Sequence, residues 1–205
     1  MSEFDRALAE IDVIRGQLAR VTQFRGYGPA SIAASGLLAL GVAALQARWL
    51  RETAQDLAVF LAVWTATAAV AVILTGIETI GRARRVHSGL ARQMIHSALE
   101  QFLPALVVGL LLTVVLVRIA PQDCWMLPGL WEIIFSLGIF ASCRFLPRAM
   151  FAVGAWYLAA GLASLTIEGP QRMLSAWAMG LPFGLGQLAV AAVLQFGPKE
   201  SSEES

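Results

Sequence analysis

Charged residues are scarce in this chain, and six long segments contain almost none. Of the 205 residues, 14% are charged, whereas a soluble domain carries about 25% charged residues. The six segments share one formal charge, Glu132, and run over Ala30–Ala47, Leu57–Ile77, Phe102–Val117, Cys124–Cys143, Ala149–Ile167 and Met173–Pro198. A spanning helix needs about 20 apolar residues, and only Phe102–Val117 is markedly shorter. This pattern excludes a soluble globule and predicts an integral membrane protein.

Cysteine, histidine and the common catalytic motifs are scarce or missing. Cys124 and Cys143 would lie about 28 Å apart along a helix, too far for a disulfide within one chain. His87 and His96 fall on opposite faces of a helix and make a poor metal pair. The sequence contains no nucleophile elbow, HExxH, Walker, CxxC or dinucleotide-binding motif. We therefore predict a non-enzymatic protein without metal, cofactor or nucleic-acid partner.

The apolar segments predict an all-α integral membrane fold. Hydrocarbon leaves no water to bond the backbone, so the spans should be helices, and no segment shows the alternation of a barrel strand. Short linkers then predict six transmembrane helices in three hairpins over residues 29–198, followed by a disordered tail over 199–205. The longest linker, 78–100, is expected to extend the third helix, and Pro128 is expected to start the fourth.

Basic residues are distributed unevenly between the two sides of this predicted bundle. Eleven of the 15 Lys and Arg residues fall on the side of the two termini, and four fall on the other. The positive-inside rule then places both termini in the cytoplasm. Together with an Ala-, Leu-, Gly- and Arg-rich composition, this predicts a multi-pass protein of a bacterial inner membrane.

The first 28 residues predict an amphipathic helix that precedes the bundle. Apolar residues recur every three or four positions from Phe4 to Val21, and Arg15 and Arg20 lie largely off that stripe. Such a helix could lie on the inner leaflet with its arginines on anionic headgroups, or pair with a partner helix. Arg82, Arg84 and Arg85 could likewise bind lipid phosphate or an acidic cytoplasmic regulator, or serve only as a topogenic cluster.

Glu132 is the one charge well inside a segment, and an intramembrane carboxylate is a functional hypothesis by default. If the fourth helix starts near Pro128, Glu132 lies in its first turn, about 5–6 Å below the outer surface. Arg118 and Arg172 are expected at a similar height. The carboxylate could therefore form a structural ion pair or, with Trp131 and Trp177, line a ligand site at the outer side.

The sixth segment carries a cluster of helix-disrupting residues, Gly180, Pro182, Gly184 and Gly186, followed by Gln187. Proline removes a backbone donor, and broken helices near the midplane form substrate sites in many transporters. Gly180 and Gly184 are also a small-xxx-small pair that suits tight helix packing. The cluster therefore predicts either a kink at a site or close packing against a neighbour.

Three apolar motifs carry a resemblance to known proteins: Leu127-Pro128-Gly129-Leu130-Trp131, Arg144-Phe145-Leu146-Pro147-Arg148 and the run from Trp177 to Gln187. With these motifs the chain resembles an uncharacterised family of bacterial six-helix inner-membrane proteins without an assigned activity. The resemblance implies six helices and, because some members lie beside genes for winged-helix regulators, a sensing or regulatory role. It implies no catalytic residues.

Three functions remain as hypotheses. The first is a membrane module that binds a small or lipidic ligand and acts as a sensor or regulator. The second is a small dimeric transporter, which requires a water-accessible path to Gly184 and Gln187. The third is a structural subunit of a larger membrane complex. All three include the lipid bilayer as partner, and a homo-oligomer is compatible with each.

Overall fold

A computed structural model describes residues 28–49, 56–85, 89–143, 149–167 and 174–196, and side chains are not described for residues 49, 79–80 and 82–102. The predicted amphipathic helix, apart from Gly28, and the predicted tail lie outside these residues. The described residues fold into six α-helices, joined in one place by a 3-10 helix. We number the α-helices α1 to α6: Pro29–Trp49, Leu57–Arg85, Gly89–Ile119, Leu127–Ser142, Met150–Ile167 and Ala176–Phe196.

The length and composition of these helices indicate a membrane-embedded protein. Five helical segments are long and apolar enough to cross a bilayer, and the apolar part of α3, Leu103–Ile119, is shorter. α2 continues past the predicted span to Arg85, and α3 begins at Gly89, so the 78–100 linker is almost entirely helical. The predicted helical extension of the third span is therefore present, and α2 has a second one that the sequence did not reveal.

α4 starts near Pro128 as predicted, and a 3-10 helix that the sequence did not reveal precedes it. A 3-10 helix, Pro121–Met126, leads directly into α4, which begins at Leu127 with Pro128 in its first turn. The two helices form one apolar stretch of 22 residues, Pro121–Ser142. Glu132 lies near the middle of this stretch, since the preceding 3-10 helix advances about 2 Å per residue. The expected position of Glu132 just below the outer surface stays a prediction.

The helices pack in the order α2, α1, α6, α5, α4, α3, and the most extensive contact joins α1 to α6. Small residues make this contact possible, because a Cβ at Gly180 would collide with Ala43 and one at Gly184 with Leu40. Glycine pairs of this kind let the backbones of two membrane helices approach closely. α6 and α5 lie in the middle of this series, and α2 and α3 lie at its two ends.

Two apolar clusters fill opposite ends of the bundle. The first contains Ile32, Val153, Tyr157 and Val190, and the second contains Ala43, Phe60, Trp64 and Met179. Phe183 packs against both clusters. The region where they meet, around Phe183 on α6, also holds the buried polar side chains of α4 and α5.

Candidate functional site

Glu132 is completely buried in α4. Its neighbour in the structure is Tyr157 at the centre of α5, which is also fully buried and interacts electrostatically with the Glu132 carboxylate. The Gln187 side chain of α6 lies near the Tyr157 hydroxyl. Three consecutive helices thus each contribute one polar side chain to the same buried region, which we call the polar centre: Glu132, Tyr157 and Gln187.

Aromatic rings border this polar centre. The ring of Tyr157 lies 4.8 Å from that of Phe135 and 5.4 Å from that of Phe183, measured between centroids. Phe135 and Phe183 are themselves 5.0 Å apart. Edge-to-face and tilted pairs at these distances are favourable beyond their buried area. Phe135 and Phe183 therefore pack against the Tyr157 ring from α4 and α6.

Two hydrogen bonds fix α5 to α6 next to the polar centre. The Trp156 indole donates to the Pro182 carbonyl at 3.1 Å, and the Tyr157 hydroxyl donates to the Phe183 carbonyl at 3.3 Å. Gly186 makes room for the tyrosine, because a Cβ at that position would collide with its hydroxyl end. Both bonds join side chains of α5 to the α6 backbone at Pro182 and the residue after it.

Gly180, Pro182, Gly184 and Gly186 have separate roles in the structure. α6 is one continuous helix through Pro182, so the cluster does not break it. Gly180 and Gly184 face α1, whereas Gly186 faces Tyr157. The small-xxx-small interpretation applies to Gly180 and Gly184, whereas Gly186 lies beside the polar centre together with Gln187.

Two of the outer-side candidates, Arg118 and Trp177, are exposed, whereas Glu132 is buried. Arg118 is exposed at the end of α3, and Trp177 is 44% exposed on α6. Trp131 instead joins α4 to α3, because its indole donates to the Thr113 hydroxyl at 2.9 Å. Adjacent residues on a helix point in different directions, which explains why Trp131 and Glu132 have different neighbours. Arg172 lies outside the described residues.

Tyr157 is the functional candidate that sequence reasoning missed. Its signal was present, since it carries a hydroxyl in the middle of an otherwise apolar segment, and a buried tyrosine hydroxyl needs a hydrogen-bond partner. Its contact with Glu132 depends on the packing of α4 against α5, which no periodicity in the sequence encodes. Gln46, a buried polar residue of α1, was missed for the same reason.

The structure describes no side-chain positions for the arginines that we expect to bind lipid or a partner. Arg15 and Arg20 lie outside the described residues. Arg82, Arg84 and Arg85 belong to the last two turns of α2. Among the residues that the structure describes, no group of three His, Cys, Asp or Glu side chains is arranged to hold a metal ion.

Comparisons with known proteins add no further constraint on the site. No family model, no curated protein and no solved structure matches this chain.

Proposed function

We propose that this protein is a non-enzymatic membrane module that binds a small ligand at the polar centre and acts as a sensor or regulator. The observation that carries the proposal is the meeting of two fully buried polar side chains, Glu132 and Tyr157, with the partly buried Gln187, from three helices. A carboxylate inside a membrane bundle is costly, and such residues commonly mark ligand or ion sites. An apolar surrounding with a few convergent polar groups is typical of small-molecule sites.

The chemistry of the polar centre suits a ligand that carries N–H donors or a positive charge on an apolar body. Glu132 supplies acceptor oxygens when ionised. The neighbouring rings of Phe135, Tyr157 and Phe183 offer an apolar, electron-rich surface that attracts cations. The ligand must be small, because Glu132 and Tyr157 are fully covered by the surrounding helices.

The proposed arrangement is six spans in three hairpins in a bacterial inner membrane, with both termini in the cytoplasm. Contacts between α1 and α2, α3 and α4, and α5 and α6 support the hairpins. The uneven distribution of arginine supports the orientation. We prefer binding to transport because α6 continues through Pro182, whereas transporter sites are commonly built from interrupted helices. The resemblance to six-helix bacterial proteins points in the same direction.

The test uses two probes of similar shape, phenethylamine and 2-phenylethanol. Purified protein in detergent should unfold at a higher temperature with the amine than with the neutral alcohol. A ligand present at a hundred times its Kd adds about 2.7 kcal/mol to stability. Glu132→Gln, which keeps the size of the side chain, should remove the difference between the two probes without unfolding the protein.

Asp123→Asn is the matched control, because it also removes one carboxylate but lies in the 3-10 helix away from Tyr157. This variant should keep the response to the amine. The proposal is wrong if the folded Glu132→Gln protein responds to phenethylamine as the wild type does, or if neither probe stabilises the wild type.

A further inference from the structure

A second group of buried polar atoms lies away from the polar centre, between α1 and α2. Gln46 of α1 is completely buried, and neither atom of its side-chain amide has a hydrogen-bond partner among the described residues. Trp64 of α2 is 4% exposed, and its indole N–H also has no partner within the described part of the chain. Two neighbouring helices thus each bury polar atoms without satisfying them.

These two side chains belong to one region of the bundle. Trp64 and Ala43 both border Gly180 of α6, and Gln46 follows Ala43 by one turn on the same face of α1. Residues three or four apart on a helix are separated by about 5–6 Å. Gln46 and the Trp64 indole are therefore within about one helical turn of the same point on α6.

Among the described residues, no neighbour supplies the hydrogen bonds that Gln46 and Trp64 lack. The cluster around Trp64 consists of Ala39, Ala43, Phe60, Leu174, Ala176 and Met179, all apolar. Burying an amide or indole N–H without a partner costs about 1–3 kcal/mol by protein mutational measures, and more in hydrocarbon. Two such groups at one place indicate a guest that brings its own donor and acceptor.

We propose that Gln46 and Trp64 form a second binding site, which takes the hydroxyl group of a small uncharged molecule. The hydroxyl oxygen accepts from the Trp64 indole N–H, and its O–H donates to the Gln46 amide oxygen. Glu132, in the polar centre, is the one charged residue that is buried among the described residues, so a charged guest at Gln46 and Trp64 would lose its hydration without compensation. The hydroxyl group comes either from water or from an alcohol dissolved in the membrane.

The test observes the Trp64 indole directly. Protein labelled with ¹⁵N at the indoles of its six tryptophans gives six N–H signals, and the signal lost in Trp64→Phe identifies Trp64. Magnetisation transfer from water to this signal reports bound water. Titration with 1-octanol, compared with n-octane, reports an alcohol, since the two probes differ by the hydroxyl group. A saturable shift with octanol and none with octane assigns the site to an alcohol.

Magnetisation transfer from water without a response to octanol assigns the site to bound water. Either assignment, to an alcohol or to bound water, supports the proposal. Gln46→Leu, which keeps the volume and removes the amide, should abolish whichever response the wild type gives. If that variant does not fold, Gln46→Met serves the same purpose. The proposal is overturned if the wild-type Trp64 signal shows neither transfer nor a shift, or if the response persists in the folded Gln46 variant.

Discussion

At the scale of single residues, Tyr157 determines the surroundings of Glu132. Its ring fills the space that Gly186 leaves open, and its hydroxyl reaches the Phe183 carbonyl. A larger residue at 186 would displace the ring and, with it, the group that faces the carboxylate. The polar centre therefore depends on a residue that has no side chain.

Gly186→Ala should destabilise the protein, because the added methyl collides with Tyr157. Overpacking of this kind costs about 1–3 kcal/mol. The matched control is Gly109→Ala on α3, where a Cβ meets nothing within 4 Å and helix propensity favours alanine by about 1 kcal/mol. Denaturant titration in detergent should show opposite signs for the two variants. Equal effects would contradict the packing of α5 against α6.

Glu78 caps the first turn of α1 from α2. Its carboxylate accepts a hydrogen bond from the Ser31 backbone N–H at 3.0 Å, and Gly28 leaves space for it. The first N–H groups of a helix have no partner within the helix, and an acidic group there is favourable. An acidic side chain just beyond a predicted span is thus a structural connection between two helices.

Gly28→Ala should move the Glu78 carboxylate away from this position, since the new methyl would occupy the same space. We expect a loss of about 1 kcal/mol, the usual contribution of a helix cap. Glu78→Gln, which keeps an acceptor but removes the charge, should lose less, about 0.3–1 kcal/mol. Thermal unfolding of the two variants shows which of them loses more stability. A larger loss in Glu78→Gln than in Gly28→Ala would contradict the cap.

At the scale of elements, the pairing of α1 with α6 joins the two apolar clusters. Gly36 faces the Gly184 backbone, because a Cβ at Gly36 would lie 2.8 Å from the Gly184 carbonyl oxygen. The helices can approach this closely only where both present glycine or alanine. α6 reaches α5 on its other side through Tyr157, so the α1–α6 contact supports the polar centre indirectly.

Gly36→Val should separate α1 from α6 and destabilise the bundle by about 1–3 kcal/mol or more. Gly41→Val is the control on the same helix, since a Cβ at Gly41 meets no atom within 4 Å. Denaturant titration should give a clearly lower free energy of unfolding for Gly36→Val than for Gly41→Val. If both variants unfold alike, the close contact between the two helices is wrong.

At the scale of the whole molecule, the end helices α2 and α3 differ from the central four. Many of their large apolar side chains are exposed, including Val72 and Ile77 on α2 and Leu110 and Leu111 on α3. Exposed apolar faces of this kind suit contact with lipid. The apolar part of α3 is shorter than a usual span, so whether α3 crosses the membrane decides whether the termini lie on the same side.

Reporter fusions test this topology. If all six helices cross the membrane, alkaline phosphatase fused after Ser205 should be inactive. A fluorescent protein should be bright when it is fused after Ser205 and also when it is fused before Met1. A phosphatase inserted after Gln122, between α3 and α4, is the control and should be active. Phosphatase activity at the C-terminus together with a bright fluorescent N-terminal fusion would mean an odd number of crossings.

The sequence alone determined the class of this protein and the ends of most helices. Long uncharged segments can be satisfied only as helices in a bilayer, and proline marked the starts at Pro29 and near Pro128. The continuous path of α6 through Pro182 was not predictable, because neighbouring helices can satisfy the backbone groups that proline releases. The 3-10 helix before α4 also carried no recognisable signal.

The tertiary structure alone decided which polar residues meet. Local patterns assign Glu132, Tyr157 and Gln187 to three different helices but contain no information on their relative rotation. That rotation follows from side-chain packing, from Gly186 against Tyr157 and from Gly36 and Gly184 between α1 and α6. For the same reason the sequence grouped Glu132 with Arg118 and Trp177 by height, whereas packing directs it towards Tyr157. The scarcity of charge determines that the helices suit a lipid environment, and helix packing determines which side chains meet in the interior.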